Sequence, residues 1–122
     1  MATILIVDDE HLTAEMLATF IKIIGHQAVE ANSCKQAWDK LAYIQPDAIL
    51  LDIMLPDQNG IEMLRELRAA AQTATVPVIM ISAHAPPKTA EAEQAGANAY
   101  LVKPISLATL REALAKVGVI AT

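Results

Sequence analysis

Apolar and polar positions follow two alternating patterns along the chain. Five short runs of mostly apolar residues, without regular polar alternation, are typical of strands that are buried on both faces of a sheet. The predicted strands are Thr3 to Val7, Gln27 to Ala31, Ala48 to Leu51, Val76 to Ile81, and Ala99 to Val102.

The segments between these strands carry apolar residues at helical spacing, which predicts amphipathic helices with one apolar face each. The expected apolar faces comprise Met16, Phe20, Ile23 and Ile24; Ala37, Leu41 and Ile44; Ile61, Leu64, Leu67 and Ala71; and Leu107, Leu110, Leu114 and Val117.

Residues that are typical of helix starts, turns and strand starts lie between these segments. Ser33 and Gln36 have the spacing of a capping box at a helix start. Asn59-Gly60 and Gly96 indicate turns, and Pro77 is expected to open the fourth strand. Five β-α units with short connections imply right-handed crossovers and a parallel five-stranded sheet with helices on both faces. The fold class is therefore α/β, a doubly wound three-layer domain that spans residues 1–122.

Composition narrows the possible functions. The chain has 122 residues and a formal net charge of −5, so it lacks the basic surface that direct nucleic-acid binding requires. The longest apolar runs, Ile4 to Val7 and Ala48 to Leu51, are far shorter than the roughly 20 residues of a membrane span. We therefore expect no membrane insertion and no signal peptide. Cys34 is the single cysteine, which favours a reducing, cytoplasmic location and a packing role for this residue.

Polar residues stand at the ends of four predicted strands, where parallel α/β sheets bind their ligands. Three aspartates meeting at one edge repel each other unless a cation lies among them, and carboxylate oxygens favour Mg²⁺. A lysine and a hydroxyl at the same edge suit a phosphoryl group. The strand-end residues are Asp8-Asp9-Glu10, Asp52, Ser82-Ala83 and Lys103-Pro104.

Each strand-end signal also has a structural explanation. Asp8 and Asp9 have the residue type of a helix cap, Lys103-Pro104 can simply end a strand, and Ser82 can be a satisfied hydroxyl. Asp52 is harder to explain in this way, because it interrupts an apolar run and a buried carboxylate is costly without a partner or a use. The arrival of all these residues at the strand ends is the specific signal.

The combination of Asp8-Asp9, Asp52, Ser82 and Lys103-Pro104 resembles the receiver domain of two-component response regulators. The segments Asp52 to Gly60 and Ala95 to Leu101 extend the similarity over essentially the whole chain. The resemblance implies a flavodoxin-like (βα)5 fold with strand order 2-1-3-4-5.

The resemblance also implies a role for each site residue. Asp52 is the expected phosphoacceptor, and Lys103 pairs with a phosphoryl oxygen next to a cis peptide at Pro104. The expected Mg²⁺ ligands are Asp9, Asp52 and the backbone carbonyl of Met54, with Asp8 acting mainly through a metal-bound water. Ser82 and Tyr100 form the expected conformational switch, although Tyr100 also fits a simple packing role.

The implied partners are a sensor histidine kinase or a histidine phosphotransfer protein, together with a downstream protein or output domain. The expected output face combines helix four, strand five and helix five, at about Lys88 to Gln94, Asn98 to Tyr100, and Leu107 to Leu114. Pro86-Pro87 begins the fourth helix region. Many transcription-factor receivers carry two acids before the switch aromatic, and these acids form ion pairs across their dimers. This chain has Asn98-Ala99 at these positions and therefore lacks those charges.

Met54, Ala83 and His84 flank the expected route of a water that attacks the phosphorylated aspartate. We hypothesise that Met54 orients no water and so slows dephosphorylation, and that His84 makes the rate depend on pH around its usual pKa of about 6.5. A solvated loop residue is the alternative interpretation of His84.

Three other functions require different features of the sequence. A phosphorylation-independent receiver-like interaction module would retain these residues but bind its partner constitutively. An aspartyl phosphatase requires a second aspartate at the position of Met54. Nucleotide or flavin binding requires a phosphate-binding loop, which glycines at 25, 60, 96 and 118 do not form.

Overall fold

Strands and helices alternate through residues 1–83 and 89–119, the part of the chain that the computed structural model describes. The elements are β1 (Thr3–Val7), α1 (His11–Ile24), β2 (Gln27–Ala31), α2 (Cys34–Leu41), β3 (Ala48–Asp52), α3 (Gly60–Ala69), β4 (Val78–Ser82), α4 (Thr89–Ala95), β5 (Ala99–Val102) and α5 (Leu107–Lys116).

The strands form one parallel sheet in the order β2-β1-β3-β4-β5, which confirms the predicted topology. Val7 pairs with Leu51, Asp52 pairs with Ile81, and Ser82 pairs with Val102. The carboxyl ends of the four strands β1, β3, β4 and β5 therefore lie next to each other at one edge of the sheet.

Alternating strand residues divide the core into two layers. On one face, Leu5, Leu51 and Met80 pack with α2, α3 and α4. On the other face, Ile6 and Leu50 pack with α1 and α5. The three-layer architecture follows from this division.

The prediction that every strand is buried on both faces is wrong for the two edge strands. β1 beyond Thr3, and all of β3 and β4, are buried, whereas β2 exposes Gln27 and Glu30 and β5 is half-buried or exposed throughout. An edge strand has a neighbour on one side only, so helices cover it less completely. The cause is strand order, which no local sequence pattern encodes.

Several element boundaries also differ from the sequence prediction. Strand β4 begins at Val78 because Pro77 has no N–H to donate to a neighbouring strand, although its carbonyl accepts from the Ile49 amide at 2.9 Å. The α1 stripe is rotated, so that Leu17 and Ile21 are buried while Ile23 is 58% exposed. Helix α3 ends at Ala69, which leaves Ala71 exposed beyond it.

The predicted local signals are present at helix starts and turns. The Ser33 hydroxyl accepts from the Gln36 amide at 3.0 Å, and the Gln36 side chain accepts at 3.1 Å from the amide of Asn32, one residue before the N-cap, so the reciprocal bond of the capping box is shifted by one residue. Gly96 adopts a φ of +107°, a conformation that favours glycine. Within residues 1–83 and 89–119, no helix has the length and apolarity needed to cross a bilayer.

Candidate functional site

Three carboxylates converge at the carboxyl edge of the sheet. The β1–β3 register sets Asp8 and Asp52 side by side, immediately beyond Val7 and Leu51. Both carboxylates are almost completely buried, at 1% and 3% exposure, whereas Asp9 is exposed. One oxygen from each of Asp8, Asp9 and Asp52 lies within 4.8 Å of the other two. The cluster predicted from the strand ends is thus formed.

Lys103 supplies the positive charge of this cluster. It directly follows β5, and its amide donates to the Ser82 carbonyl at 2.9 Å, which aligns it with the end of β4. Its Nζ lies 2.9 Å from Oδ2 of Asp8, 3.0 Å from Oδ2 of Asp52 and 3.8 Å from Oε1 of Glu10. The peptide between Lys103 and Pro104 is cis, as the resemblance implies, and Pro104 itself is exposed.

Burial and neighbouring charges shift the pKa values of Asp52 and Lys103. Burial raises the pKa of Asp52 to about 6, while the hydrogen bond from Lys103 opposes that rise and the charge of Asp8 adds to it. Burial by itself would lower the pKa of Lys103, but its bonds to Asp8 and Asp52 outweigh burial and raise it. Lys103 is therefore protonated at neutral pH and Asp52 is mostly ionised.

The loop after Asp52 is folded tightly against it. Oδ1 of Asp52 accepts from the Met54 amide at 3.2 Å, and the Ile53 carbonyl accepts from the Gly60 amide at 2.8 Å. A Cβ on Gly60 would lie only 2.0 Å from the Asp52 carbonyl oxygen, so this position requires glycine. The Met54 side chain is 65% exposed at the mouth of the cavity that Asp52 and Lys103 line.

Ser82 and Tyr100 lie on the same face of the sheet as Met80. Ser82 is the fully buried last residue of β4 and, by alternation, faces the same side as Met80. Tyr100 pairs with Met80 in the β4–β5 register, is half-buried, and packs against the same core layer. The two expected switch residues thus share one face. Ala83 is exposed and lines the cavity, and His84 lies outside the described residues.

The donor set suits a hard divalent cation. In the part of the chain that the structure describes, Lys103 is the cation that pairs with Asp8, Asp52 and Glu10, while Asp9 lies beside this cluster without an ion pair to Lys103. One ammonium leaves the buried carboxylates with net negative charge, which a cation would neutralise. All donors are oxygens, as Mg²⁺ prefers.

Two residues beside the site carried no predicted role. Glu10 lies at the cavity edge, where the Thr13 hydroxyl and then the charge of Lys103 hold its pKa below the usual range. Its position directly after Asp9, just beyond the end of β1, is the sequence feature that could have indicated its place at the site. Asp57 contacts the start of α2 through a pairing 23 residues apart in sequence, and no local pattern predicts such a contact.

The sequence of this chain is similar to known proteins over almost its whole length. The sequence model of the family described as "Response regulator receiver domain" matches residues 4–115. The phosphate regulon transcriptional regulatory protein PhoB of Pseudomonas aeruginosa is 37% identical over 121 residues, covering 95% of this chain and 53% of that protein. This chain spans between 16% and 53% of the length of the first curated relatives that it matches.

Solved structures of other proteins share the fold of this chain. The Vibrio cholerae chemotaxis protein CheY4 superposes with a TM-score of 0.89 at 29% identity, covering 96% of this chain and 98% of that one. The receiver domain of the sensor histidine kinase PA1611 from Pseudomonas aeruginosa superposes with a TM-score of 0.85 at 31% identity, with the same coverage, and contains a magnesium ion in its active-site cleft. Proteins with this fold and similar sequence thus include both a chemotaxis protein and a kinase-attached domain.

Proposed function

This chain belongs to the response regulator receiver domain family, and from that premise we propose that it accepts a phosphoryl group on Asp52 and switches a protein-interaction surface. The observation that carries the proposal is the position of the Lys103 ammonium, 2.9 Å from Asp8 and 3.0 Å from Asp52. An ammonium group held between two buried carboxylates is in position to bind a negatively charged oxygen of an incoming phosphoryl group.

The proposed reaction transfers a phosphoryl group from a phosphohistidine on a partner protein. A carboxylate oxygen of Asp52 attacks the phosphorus, the P–N bond breaks, and the imidazole leaves and takes up a proton. Lys103 then exchanges its contact with the Asp52 carboxylate for a phosphoryl oxygen, while Asp8 continues to hold its ammonium. Attack by water on the phosphorus later breaks its bond to the Asp52 oxygen, releases inorganic phosphate and returns Asp52 to a carboxylate, so the domain catalyses its own modification and its reversal.

Asp9, Asp52 and the carbonyl of Met54 are the residues that would hold Mg²⁺, with Asp8 contributing through water. The bound ion would neutralise negative charge on the transferring group. The oxygen-only donor set and the excess of carboxylates over ammonium groups support this assignment. The magnesium ion in the related PA1611 receiver domain supports it further.

Phosphorylation would act on the surface through Ser82 and Tyr100. In the proposed switch, the Ser82 hydroxyl moves to the new phosphoryl oxygens and the Tyr100 ring turns into the space that it leaves. The phosphoryl group biases the two surface states only by its different interaction energy with each of them. The output face would be formed by α4, β5 and α5.

The proposed partners are a sensor histidine kinase or phosphotransfer protein as donor and a protein or output domain as receiver of the signal. We propose a cytoplasmic location and protein recognition, without direct nucleic-acid contact, because the net charge of −5 disfavours binding to phosphates. Since PhoB is about twice as long as this chain, the output of a longer protein is a separate question from the chemistry of this domain.

Intact-mass measurement tests the proposal. The protein is incubated with Mg²⁺ and a small acyl phosphate, in parallel with Asp52→Ala and with a chelator control. We expect one base-labile phosphoryl adduct on the wild type, in the presence of Mg²⁺ only, and none on the variant. A phosphohistidine donor should give the same adduct.

The result that would overturn the proposal is the absence of an adduct together with unchanged Trp38 fluorescence when beryllium fluoride and Mg²⁺ are added. Such a result would favour the phosphorylation-independent interaction module. An adduct that persists in Asp52→Ala would assign the chemistry to another residue.

A further inference from the structure

The carboxylate of Asp57 binds the start of helix α2. Its Oδ1 accepts from the Cys34 amide and its Oδ2 from the Lys35 amide, each at 3.0 Å. The Ser33 hydroxyl accepts from the next amide, Gln36, at 3.0 Å. The first three amides of the helix, which have no partner within it, are thus satisfied by two side chains, one of them from the loop after β3.

The same loop is fixed at its other end by α3. The Gly60 amide donates to the Ile53 carbonyl, and an antiparallel bridge pairs Met54 with Asn59. The Asn59 side chain accepts from the Ile61 amide at 2.8 Å and caps α3. Residues 53–59 are therefore held by α3 at the base and by α2 at Asp57. Met54 belongs to the base through its bridge to Asn59, and Asp57 follows it by three residues.

We propose that Asp57 is a positioning residue for the metal site, because its bonds to the start of α2 hold the loop that presents the Met54 carbonyl. This inference rests on the proposed function, in which that carbonyl is a Mg²⁺ ligand. Asp57 itself is exposed and three residues away from Met54, so it acts through the loop and not by contact with the ion.

The requirement for such an anchor follows from the geometry of Mg²⁺. This ion demands near-ideal octahedral ligands at short distance, so a displaced carbonyl lowers the affinity of the whole site. The Met54 side chain is mostly exposed and provides little packing to fix its own backbone. The Asp57 anchor is well suited electrostatically, because a carboxylate at a helix N-terminus is stabilised by the exposed amides and the helix dipole.

The backbone amides of Lys35 and Cys34 hold the pKa of Asp57 below its usual range, so it stays ionised throughout the neutral region. Thermodynamic linkage then requires the coupling to work in both directions. If Asp57 stabilises the Mg²⁺-binding loop through α2, bound Mg²⁺ must also stabilise the start of α2.

Cys34 is a natural reporter of this second effect. It is the single cysteine, is 2% exposed, and lies at the first position of α2. Burial and then the charge of Asp57 raise the pKa of its thiol to about 12, so it reacts slowly with a thiol reagent while the start of the helix is closed. Because Asp57 itself affects the thiol, opening is measured by the change in the modification rate that Mg²⁺ causes within each variant.

The experiment compares the wild type with Asp57→Ala, Asp57→Asn and two matched controls. Ser33→Ala removes the other cap of the same helix end and leaves the loop anchored. Asp39→Asn removes one negative charge from the exposed side of α2. Mg²⁺ affinity is measured by titration calorimetry, and the rate of Cys34 modification is measured with and without saturating Mg²⁺.

We expect Asp57→Ala to weaken Mg²⁺ binding about tenfold, the low end of the range for residues that orient metal ligands. Asp57→Asn should fall between Asp57→Ala and wild type, because its amide oxygen can still accept one bond. Mg²⁺ should slow Cys34 modification in the wild type and in both controls. In Asp57→Ala the modification should be faster and insensitive to Mg²⁺.

The inference is overturned if Asp57→Ala and Ser33→Ala bind Mg²⁺ equally well and their modification rates respond equally to it. It is also overturned if Asp39→Asn weakens binding as much as Asp57→Ala, since loss of charge alone would then explain the effect. Wild-type protein that binds no Mg²⁺ and accepts no phosphoryl group would overturn the proposed function together with this inference. Phosphorylation of the wild type with no difference among the variants would overturn this inference alone.

Discussion

The ammonium of Lys103 contacts the carboxylate of Asp52 at 3.0 Å across the carboxyl edge of the sheet, with a side chain that is only 14% exposed. Asp8 contacts the same ammonium from β1. Two buried acids therefore share one base, and the stability of the domain depends on the ionisation of the residues that its proposed chemistry uses.

Lys103→Met should destabilise the protein by about 3 kcal/mol near pH 8, because removal of one partner leaves buried charge uncompensated. The loss should shrink near pH 5, where protonation of the carboxylates relieves the repulsion. Urea unfolding with a chelator present measures both values. Lys116→Met, at an exposed position on α5, is the control. An equal loss at both pH values would contradict the explanation.

Asp52→Asn should have the opposite effect. The pKa of Asp52 is raised from 3.8 to about 6, so between these values the folded state binds a proton that the unfolded state lacks. Ionised Asp52 therefore costs stability in full above the folded pKa, and the cost fades as the pH falls towards 3.8. With a chelator present, Asn should stabilise the protein by about 1–3 kcal/mol near pH 8. The gain should vanish near pH 4, and a destabilised variant at the higher pH would refute the argument.

The sequence was sufficient to predict the core of the site, and the physical reason is the parallel sheet. Once the strands are recognised, their carboxyl ends must share an edge, and the strand order 2-1-3-4-5 that the family resemblance implies places the ends of β1 and β3 side by side there. The exposure of β2 and β5 was missed because the prediction from continuous apolar runs treated all five strands alike and did not use their position at the edges. On α1 the predicted apolar face is wrong at Ile23 only: Ile24 is buried and Met16 and Phe20 pack against the core, but the face is centred on Leu17 and Ile21, which share the spacing of Met16 and Phe20.

Contacts between loops were also not predictable. Arg68 on α3 donates to the carbonyls of Gly96, at 3.0 and 2.9 Å, and Val76, at 2.7 Å, and to the side chain of Asn98 at 2.9 Å. These partners lie in two separate loops, 8 to 30 residues away in sequence. Neither helical spacing nor strand alternation contains information on such a pairing.

Arg68→Ala should destabilise the domain by about 3 kcal/mol, because several partly buried carbonyls lose a charged donor. Arg68→Lys should recover little of this loss. The planar guanidinium of arginine donates to both loops at once, whereas the single ammonium of lysine cannot reach both. Chemical denaturation provides the comparison. Arg65→Ala, at an exposed position on the same helix, should change stability by less than about 0.5 kcal/mol. Equal effects of the two alanine variants would contradict the role assigned to Arg68.

Gly60→Ala should be among the most damaging small substitutions in the chain. The new methyl group would meet the Asp52 carbonyl oxygen at 2.0 Å, so β3 or α3 must shift. We expect a loss of about 3 kcal/mol and a weakened Mg²⁺ site. Gly118→Ala is the comparison, because its methyl group meets no described heavy atom within 4 Å although φ is +93°. It should cost about 1 kcal/mol, and a similar cost at both positions would refute the steric argument.

Met54→Asn tests the hypothesis on dephosphorylation. Met54 has an apolar, exposed side chain at the mouth of the cavity and offers no hydrogen bond to an attacking water. An amide at this position can orient that water, and we expect it to shorten the lifetime of the phosphorylated domain about tenfold. Decay of the adduct after removal of the acyl phosphate measures the lifetime, and Met54→Leu is the control. An unchanged lifetime in Met54→Asn would refute the hypothesis.

The in-register pairing of the strand ends has a consequence for how this sequence can change over time. Insertion of one residue within β3 would move Asp52 along the sheet by about 3.3 Å and turn its side chain to the opposite face. Exchanges between apolar residues of similar volume in the same strand would leave the site in place. Divergent copies of this gene are therefore expected to accumulate length differences at the far ends of the helices, while β1, β3 and β4 keep their residue count.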